Sequence, residues 1–257
     1  MYYLRERSLQ SDDPTLTKLR SDGLFFPHDR TIAFDWAMRG SYEDPIIQWA
    51  KTLLDPSKVF VDVGAHVGTY SIELAPHCAG VVSFECFPRT YNHLCANIAL
   101  RELDSKITPY RTALGDRVGT TKYTIRSAPD GGGNTCLTLP TSHDEVITLP
   151  ITTLDSFSLS NIGLIKLDVE GFEQQVLQGA QETLRRSNYP MLLFESWRPG
   201  RDAEGLPATQ LRSDLFAYLP SIGYTIVPVR GWDEMFIAER TSATISSDET
   251  QTAHSTL

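Results

Sequence analysis

The chain has 257 residues, 41% hydrophobic and 21% charged, enough for one full core and no second large domain. Lys and Arg number 23 against 32 Asp and Glu, a net charge of −9. This excludes a generally basic nucleic-acid binder and disfavours anionic membrane surfaces. The four cysteines, Cys78, Cys86, Cys95 and Cys136, form no C-x-x-C pair. That excludes a zinc knuckle or thioredoxin motif and suits a reducing cytosol, so a cytoplasmic location is expected. Met1–Gln10 (MYYLRERSLQ) carries charges where a signal peptide needs an apolar stretch, and no apolar run is long enough to span a bilayer.

Residues 1–43 show weak periodicity and are read as an N-terminal cap segment. Asp44 is suited to cap a helix and Pro45 to open it. Ile46, Ile47, Trp49, Ala50, Leu53 and Leu54 then recur at helical spacing. Val59–Val63 (VFVDV) reads as a strand buried on both faces. It leads through Gly64-Ala65-His66-Val67-Gly68 into a segment able to start a helix. Gly80–Glu85 is a second strand, Arg89–Glu102 a helix and Ile107–Leu114 a third strand. Residues 115–150 read as a β-hairpin insert with a mobile glycine loop around Pro129–Asn134. Strand Ile162–Val169, helix Phe172–Arg186, strand Met191–Glu195 and a helix near Leu211–Leu219 follow. Tyr224–Val229 and Met235–Glu239 suit a terminal antiparallel hairpin. The Ser- and Thr-rich stretch 241–257 reads as a disordered tail. Residues 44–240 thus form one α/β domain, a parallel sheet with a C-terminal antiparallel hairpin and helices on both faces.

In open sheets of this kind ligands bind beyond the carboxyl ends of the strands. The first strand ends in Asp62 and the Gly64–Gly68 loop, where glycines allow a sharp turn and a close approach to a ligand. The loop has two glycines and an acid before it, unlike the G-x-G-x-x-G fingerprint of dinucleotide binding. An acid there suits a cationic ligand. The second strand ends in Glu85, 23 residues after Asp62, where a carboxylate can accept from both ribose hydroxyls. In Ile165-Lys166-Leu167-Asp168-Val169-Glu170-Gly171 the period of two places Lys166, Asp168 and Glu170 on one face. The next strand ends in Glu195. If the two strands are neighbours, Asp168, Glu170 and Glu195 converge. Such a group either raises the pKa of one member or holds a cation. A salt bridge to Lys166 and a favourable charge before the following helix are the structural alternatives.

These residues resemble the FkbM-type S-adenosylmethionine-dependent methyltransferases. The resemblance is carried by Asp62–Ala75 (DVGAHVGTYSIELA), Ser83–Asn97 (SFECFPRTYNHLCAN) and Thr112–Gly115 (TALG). Thr153-Leu154-Asp155, Ile165–Gly179 (IKLDVEGFEQQVLQG) and the strand ending in Glu195 complete it, so that it spans roughly residues 42–197. The family usually carries Asn at the position of His66 and Pro at that of Cys86. The resemblance implies a seven-stranded, Rossmann-like class I methyltransferase sheet. It implies S-adenosylmethionine as cofactor and methyl transfer to a hydroxyl of a sugar, glycan or small natural product. Asp62, Gly64 and Gly68 would hold the methionine end, with Ala65, His66, Thr69 and Tyr70 from the same loop. Glu85, followed by Cys86, would hold the ribose, and Ala113 and Leu114 would lie near the adenine.

An alcohol is a poor nucleophile until its proton leaves, so a general base is expected within hydrogen-bond reach. Asp168 is the first candidate, followed by Glu170 and Glu195. A divalent metal on these hard oxygen ligands is allowed but not required. Trp197, directly after a strand end, is a candidate sugar platform, and His143 in the insert could close over an acceptor. The competing readings are an RNA cap or ribose methyltransferase using Arg198, Arg201, Arg212 and Arg230, an inactive cofactor-binding module, and a nicotinamide-binding protein. The partner expected is a small-molecule or glycan acceptor, with neither nucleic acid nor membrane.

Overall fold

The computed structural model describes residues 43–125, 134–137 and 145–240. The N-terminal cap (Glu43 excepted), most of the glycine loop, His143 and the tail lie outside the described residues.

Helix α1 (Asp44–Leu53) begins one residue earlier than expected. The cap position is Glu43, in the left-handed region at φ 56°, and no side chain caps the helix. Its carbonyl accepts from the Ile46 and Ile47 N–H groups, while its carboxylate is engaged by the Tyr70 hydroxyl. Strand β1 (Val59–Val63) leads through the glycine loop into α2 (Thr69–Leu74). Strand β2 (Gly80–Phe84), helix α3 (Pro88–Leu100) and strand β3 (Ile107–Tyr110) follow.

The expected third strand breaks here. Ala113–Leu114 leave the main sheet as β4 and pair parallel to β6 (Glu145–Thr152), which pairs antiparallel to β5 (Gly119–Ile125). These three strands form a separate small sheet.

Strand β7 (Ile162–Leu167) returns to the main sheet. The single helix expected over 172–186 is two, α4 (Glu173–Gln178) and α5 (Gln181–Arg186), divided at Gly179-Ala180. A Cβ on Gly179 would lie 1.9 Å from the Gly115 carbonyl oxygen. The break therefore sits where the helix layer touches the backbone after β4. Strand β8 (Met191–Glu195), helix α6 (Ala208–Ser221) and strands β9 (Thr225–Pro228) and β10 (Met235–Glu239) complete the fold. The main sheet has the order β3-β2-β1-β7-β8-β10-β9, with β10 antiparallel to both neighbours.

Alternation along the strands sends side chains to two helix layers. Phe60 and Leu164 pack with Ile46, Ile47, Ile72, Leu94 and Ile98 from α1–α3. Val61, Val63, Ile165 and Leu167 pack with Val176, Leu184, Leu215 and Leu219 from α4–α6. Among the described residues no helix is long and apolar enough to cross a membrane.

Candidate active site

The strand order sets β1 between β2 and β7, and β7 between β1 and β8, so the ends of β1, β2, β7 and β8 form one rim. In the β1–β7 register Asp62 stands opposite Lys166, and in the β7–β8 register Leu167 stands opposite Phe194. One step further, Asp168 meets Glu195.

The glycine loop is shaped by contacts that exclude a side chain. Gly64 has φ 81°, and a Cβ there would lie 1.8 Å from the Asp168 carbonyl oxygen. Gly68 has φ 95°, and a Cβ there would lie 2.6 Å from Leu94 Cδ1. His66 adopts φ 52°, a left-handed conformation that Asn and His tolerate better than most residues. Glu85 fastens the turn: its Oε2 accepts from the His66 N–H at 2.9 Å and its Oε1 from the Phe87 N–H at 2.8 Å. Each of these oxygens keeps a further lone pair for a ligand hydroxyl.

Asp62 is fully buried. Its Oδ2 accepts from Ser71 Oγ at 2.5 Å, and Ser71 in turn contacts Ser83 Oγ at 2.7 Å. Asp62 Oδ1 has no hydrogen-bond partner among the described residues. Burial pushes the Asp62 carboxyl upward, against the pull of Lys166. Of the two residues expected beside the adenine, Ala113 packs in a small cluster with Cys86, Ile151 and Phe172. Leu114 points the other way, into the main core with Phe84 and Val176.

The acidic side of the rim is a network around one buried cation. Lys166, with 3% of its side chain exposed, donates to Asp168 Oδ2 at 2.9 Å. Its ammonium also lies 4.6 Å from the centre of the Tyr70 ring. Tyr70 donates its hydroxyl to Glu43 Oε2 at 2.7 Å. Burial alone would lower the Lys166 pKa, but Asp168, Asp62 and Glu43 together raise it, so the ammonium stays charged. Burial pushes Asp168 upward, but Lys166 and a hydrogen bond from Glu195 outweigh it and hold Asp168 below the usual carboxylate range. Glu195 is the opposite case. Burial, then the charges of Asp168 and Glu170, push its carboxyl well above the usual range, so it donates to Asp168.

Glu170 does not continue the strand, which ends at Leu167. It sits in a turn with φ 54°, followed by Gly171 at φ 92°. The turn, rather than strand alternation, brings it to Asp168 and Glu195. Trp197 Nε1 donates to Glu170 Oε2 at 3.1 Å. Trp197 is only 4% exposed and Arg201 stacks on its ring at 4.9 Å, so it orients an acid and offers no sugar platform. Glu173 is buried beneath the turn, and its Oε1 accepts from the Val169 and Gly171 N–H groups. Burial pushes its carboxyl up to about 8.

Asp168, Glu170 and Glu195 bring one carboxylate oxygen each within 4.8 Å of the others. Such a set could seat a divalent cation. Lys166 already donates to Asp168 and Trp197 to Glu170, and an ammonium opposes a second cation.

Sequence reading missed Glu43, Glu173 and the role of Trp197. Glu173 had a signal, an acid three residues after Glu170 at a helix start. Glu43 had none, because it arrives through the packing of α1 on α2.

The methyltransferase FkbM domain model matches residues 62–226, from the end of β1 into β9. The chain belongs to this family and is an S-adenosylmethionine-dependent methyltransferase. Comparison with curated proteins found no match. Among solved structures, a Podospora anserina methyltransferase with SAH bound aligns at 10% identity and TM-score 0.50, covering 91% of this chain and 99% of its own. An O-methyltransferase from Bacillus cereus in complex with SAH aligns at 12% and 0.49, covering 87% and 95%. A precorrin-6y C5,15-methyltransferase from Geobacter metallireducens aligns at 11% and 0.46, covering 83% and 94%. At these identities the likeness concerns the fold alone.

Proposed function

We propose that this enzyme transfers the methyl group of S-adenosylmethionine to a hydroxyl oxygen of a sugar, glycan or small natural product. In this reading Glu85 binds the ribose hydroxyls, and the loop from Asp62 to Tyr70 holds the methionine end, with its unpaired Asp62 Oδ1. Ala113 and Cys86 border the adenine side. The cofactor brings its own activation, so the protein positions two reactants and excludes water.

The Asp168–Glu195 pair carries the reading. An incoming hydroxyl must lose its proton as its oxygen attacks the sulfonium methyl, and a carboxylate pair beside a buried lysine offers an acceptor. With one proton held on Glu195 and bonded to Asp168, the pair is free to take the proton of the incoming hydroxyl once that first proton has left. Turnover is therefore expected to rise with pH until Glu195 is ionised. The excess of acid over Lys166 also suits a cofactor with a cationic sulfur.

RNA is disfavoured as the acceptor. Arg212 is committed to the Phe216 and Phe236 rings and to the Trp197 and Asp233 carbonyls, and Arg201 to Trp197. Four free thiols favour a cytoplasmic setting. The test is mass spectrometry of a panel of glycans, hydroxylated metabolites and capped RNA incubated with enzyme and methyl-labelled S-adenosylmethionine. Label on a sugar or small-molecule oxygen is expected; label on RNA alone would overturn the acceptor class.

A further inference from the structure

Cys86 and Cys136 lie 50 positions apart in the chain, yet they pack on the same three-residue cluster and the thiol of one raises the pKa of the other. Both are free, and both pack on the small cluster of Ala113, Ile151 and Phe172. The buried Tyr123 donates its hydroxyl to Cys86. The two thiols come from different segments of the fold. Cys86 directly follows Glu85 in the turn that ends β2. Cys136 lies in 134–137, a strip fastened at Thr135, whose backbone pairs with Thr124 and whose Oγ1 donates to the Glu170 carbonyl oxygen at 2.7 Å. Access differs between them. Cys136 lines an open cleft of about 500 Å³ together with Arg117, Lys122 and Gln175. Cys86, at the end of β2, does not line it.

We propose that Cys136 and Cys86 are an oxidisable thiol pair whose disulfide distorts the neighbouring cofactor turn. The oxidant class is a peroxide entering by the cleft. The Cys136 sulfur attacks a peroxide oxygen and the O–O bond breaks. With hydrogen peroxide this leaves a sulfenic acid on Cys136 and releases one water. The Cys86 sulfur then attacks the Cys136 sulfur, the S–O bond breaks, and the hydroxyl leaves with the Cys86 proton as a second water. The pair loses two electrons and the peroxide gains them. A reactive cysteine beside a resolving one is the arrangement that favours disulfide over further oxidation. The new S–S bond, about 2.05 Å long, is shorter than a contact between two free thiols, so it draws the Glu85–Phe87 turn towards 134–137. The effect on the cofactor rests on the proposed role of Glu85; the formation of the bond does not.

The experiment treats the reduced full-length protein with hydrogen peroxide, alkylates the remaining thiols and maps the peptides by mass spectrometry. S-adenosylmethionine is titrated calorimetrically before oxidation, after it and after re-reduction with dithiothreitol. The expected result is one peptide pair joined through Cys86 and Cys136, with Cys78 and Cys95 alkylated. The affinity should fall about tenfold, a change of ~1.4 kcal/mol, and recover on reduction. Cys136→Ser should bind the cofactor as the wild type does and be indifferent to peroxide. Oxidation of Cys136 without the linked pair overturns the proposal, as does a linked pair with unchanged affinity. If the reduced protein fails to bind S-adenosylmethionine, the reading of the cofactor site falls, and the peptide map still decides the thiol pair.

Discussion

Asp62 and Lys166 stand opposite each other on adjacent strands, both buried, and Lys166 reaches from there to Asp168 at the rim. The cation that organises the acids thus belongs to the interior of the sheet. Lys166→Met removes it and leaves Asp62, Asp168 and Glu43 without their shared counter-charge. Breaking a fully buried pair from one side typically destabilises by about 3–5 kcal/mol. Asp168 keeps 34% of its side chain exposed, so thermal unfolding should show a loss below that range, and Lys166→Arg should recover part of it. An unchanged melting temperature in the Met variant would show that the acids do not depend on this ammonium.

Gly64 makes the closest approach in the cofactor loop. Gly64→Ala must place a methyl against the Asp168 carbonyl oxygen while holding a positive φ. Left-handed strain and overlap together should cost about 3 kcal/mol or more. Cofactor affinity should fall in calorimetry, since the loop and the acid turn are forced apart. Wild-type affinity in the Ala variant would contradict the packing described.

Glu173 couples stability to pH. Its carboxyl titrates at about 8 in the fold against 4.5 for the unperturbed group, so the folded state holds the proton more tightly. The stability it contributes is fully present below about 4.5 and is lost as pH rises through 8. The loss amounts to at most ~5 kcal/mol. Glu173→Gln keeps an oxygen that accepts from Val169 and Gly171 and removes the charge. Denaturation between pH 5 and 9 should show a flatter profile in this variant, with a gain in stability at the alkaline end. Parallel profiles would place the titration elsewhere.

Much of this site was legible in the sequence because it depends on strand ends. Acids at the carboxyl ends of β1, β2, β7 and β8 read as a rim once alternating strands and helices implied a parallel sheet. What was not legible is set by turns and by long-range packing. Ala113–Leu114 leave the main sheet because their pairing partner is β6, nearly 40 positions away. The break at Gly179 answers to the Gly115 backbone, which no local pattern reveals. Trp197 read as a candidate sugar platform because it directly follows a strand end. Its indole N–H is instead spent on Glu170.

Glu195 and its proton give the pH dependence of the reaction. Turnover should rise with pH as Glu195 ionises, because an acceptor hydroxyl then finds the pair able to take its proton. Glu195→Gln holds the pair in a state resembling the protonated one and should abolish the rise. The pH profile of labelled-methyl transfer checks this. Since no metal enters the scheme, turnover in excess EDTA should equal that without it, and loss on chelation would return a cation to Asp168, Glu170 and Glu195.

The most direct test is Asp168→Asn, measured for S-adenosylmethionine affinity and for methyl transfer to the acceptor found by the panel. Affinity should stay close to wild type, which also shows that the variant is folded, and transfer should fall about 10²–10⁴-fold. Transfer within a few-fold of wild type would contradict the assignment of the proton to the Asp168–Glu195 pair.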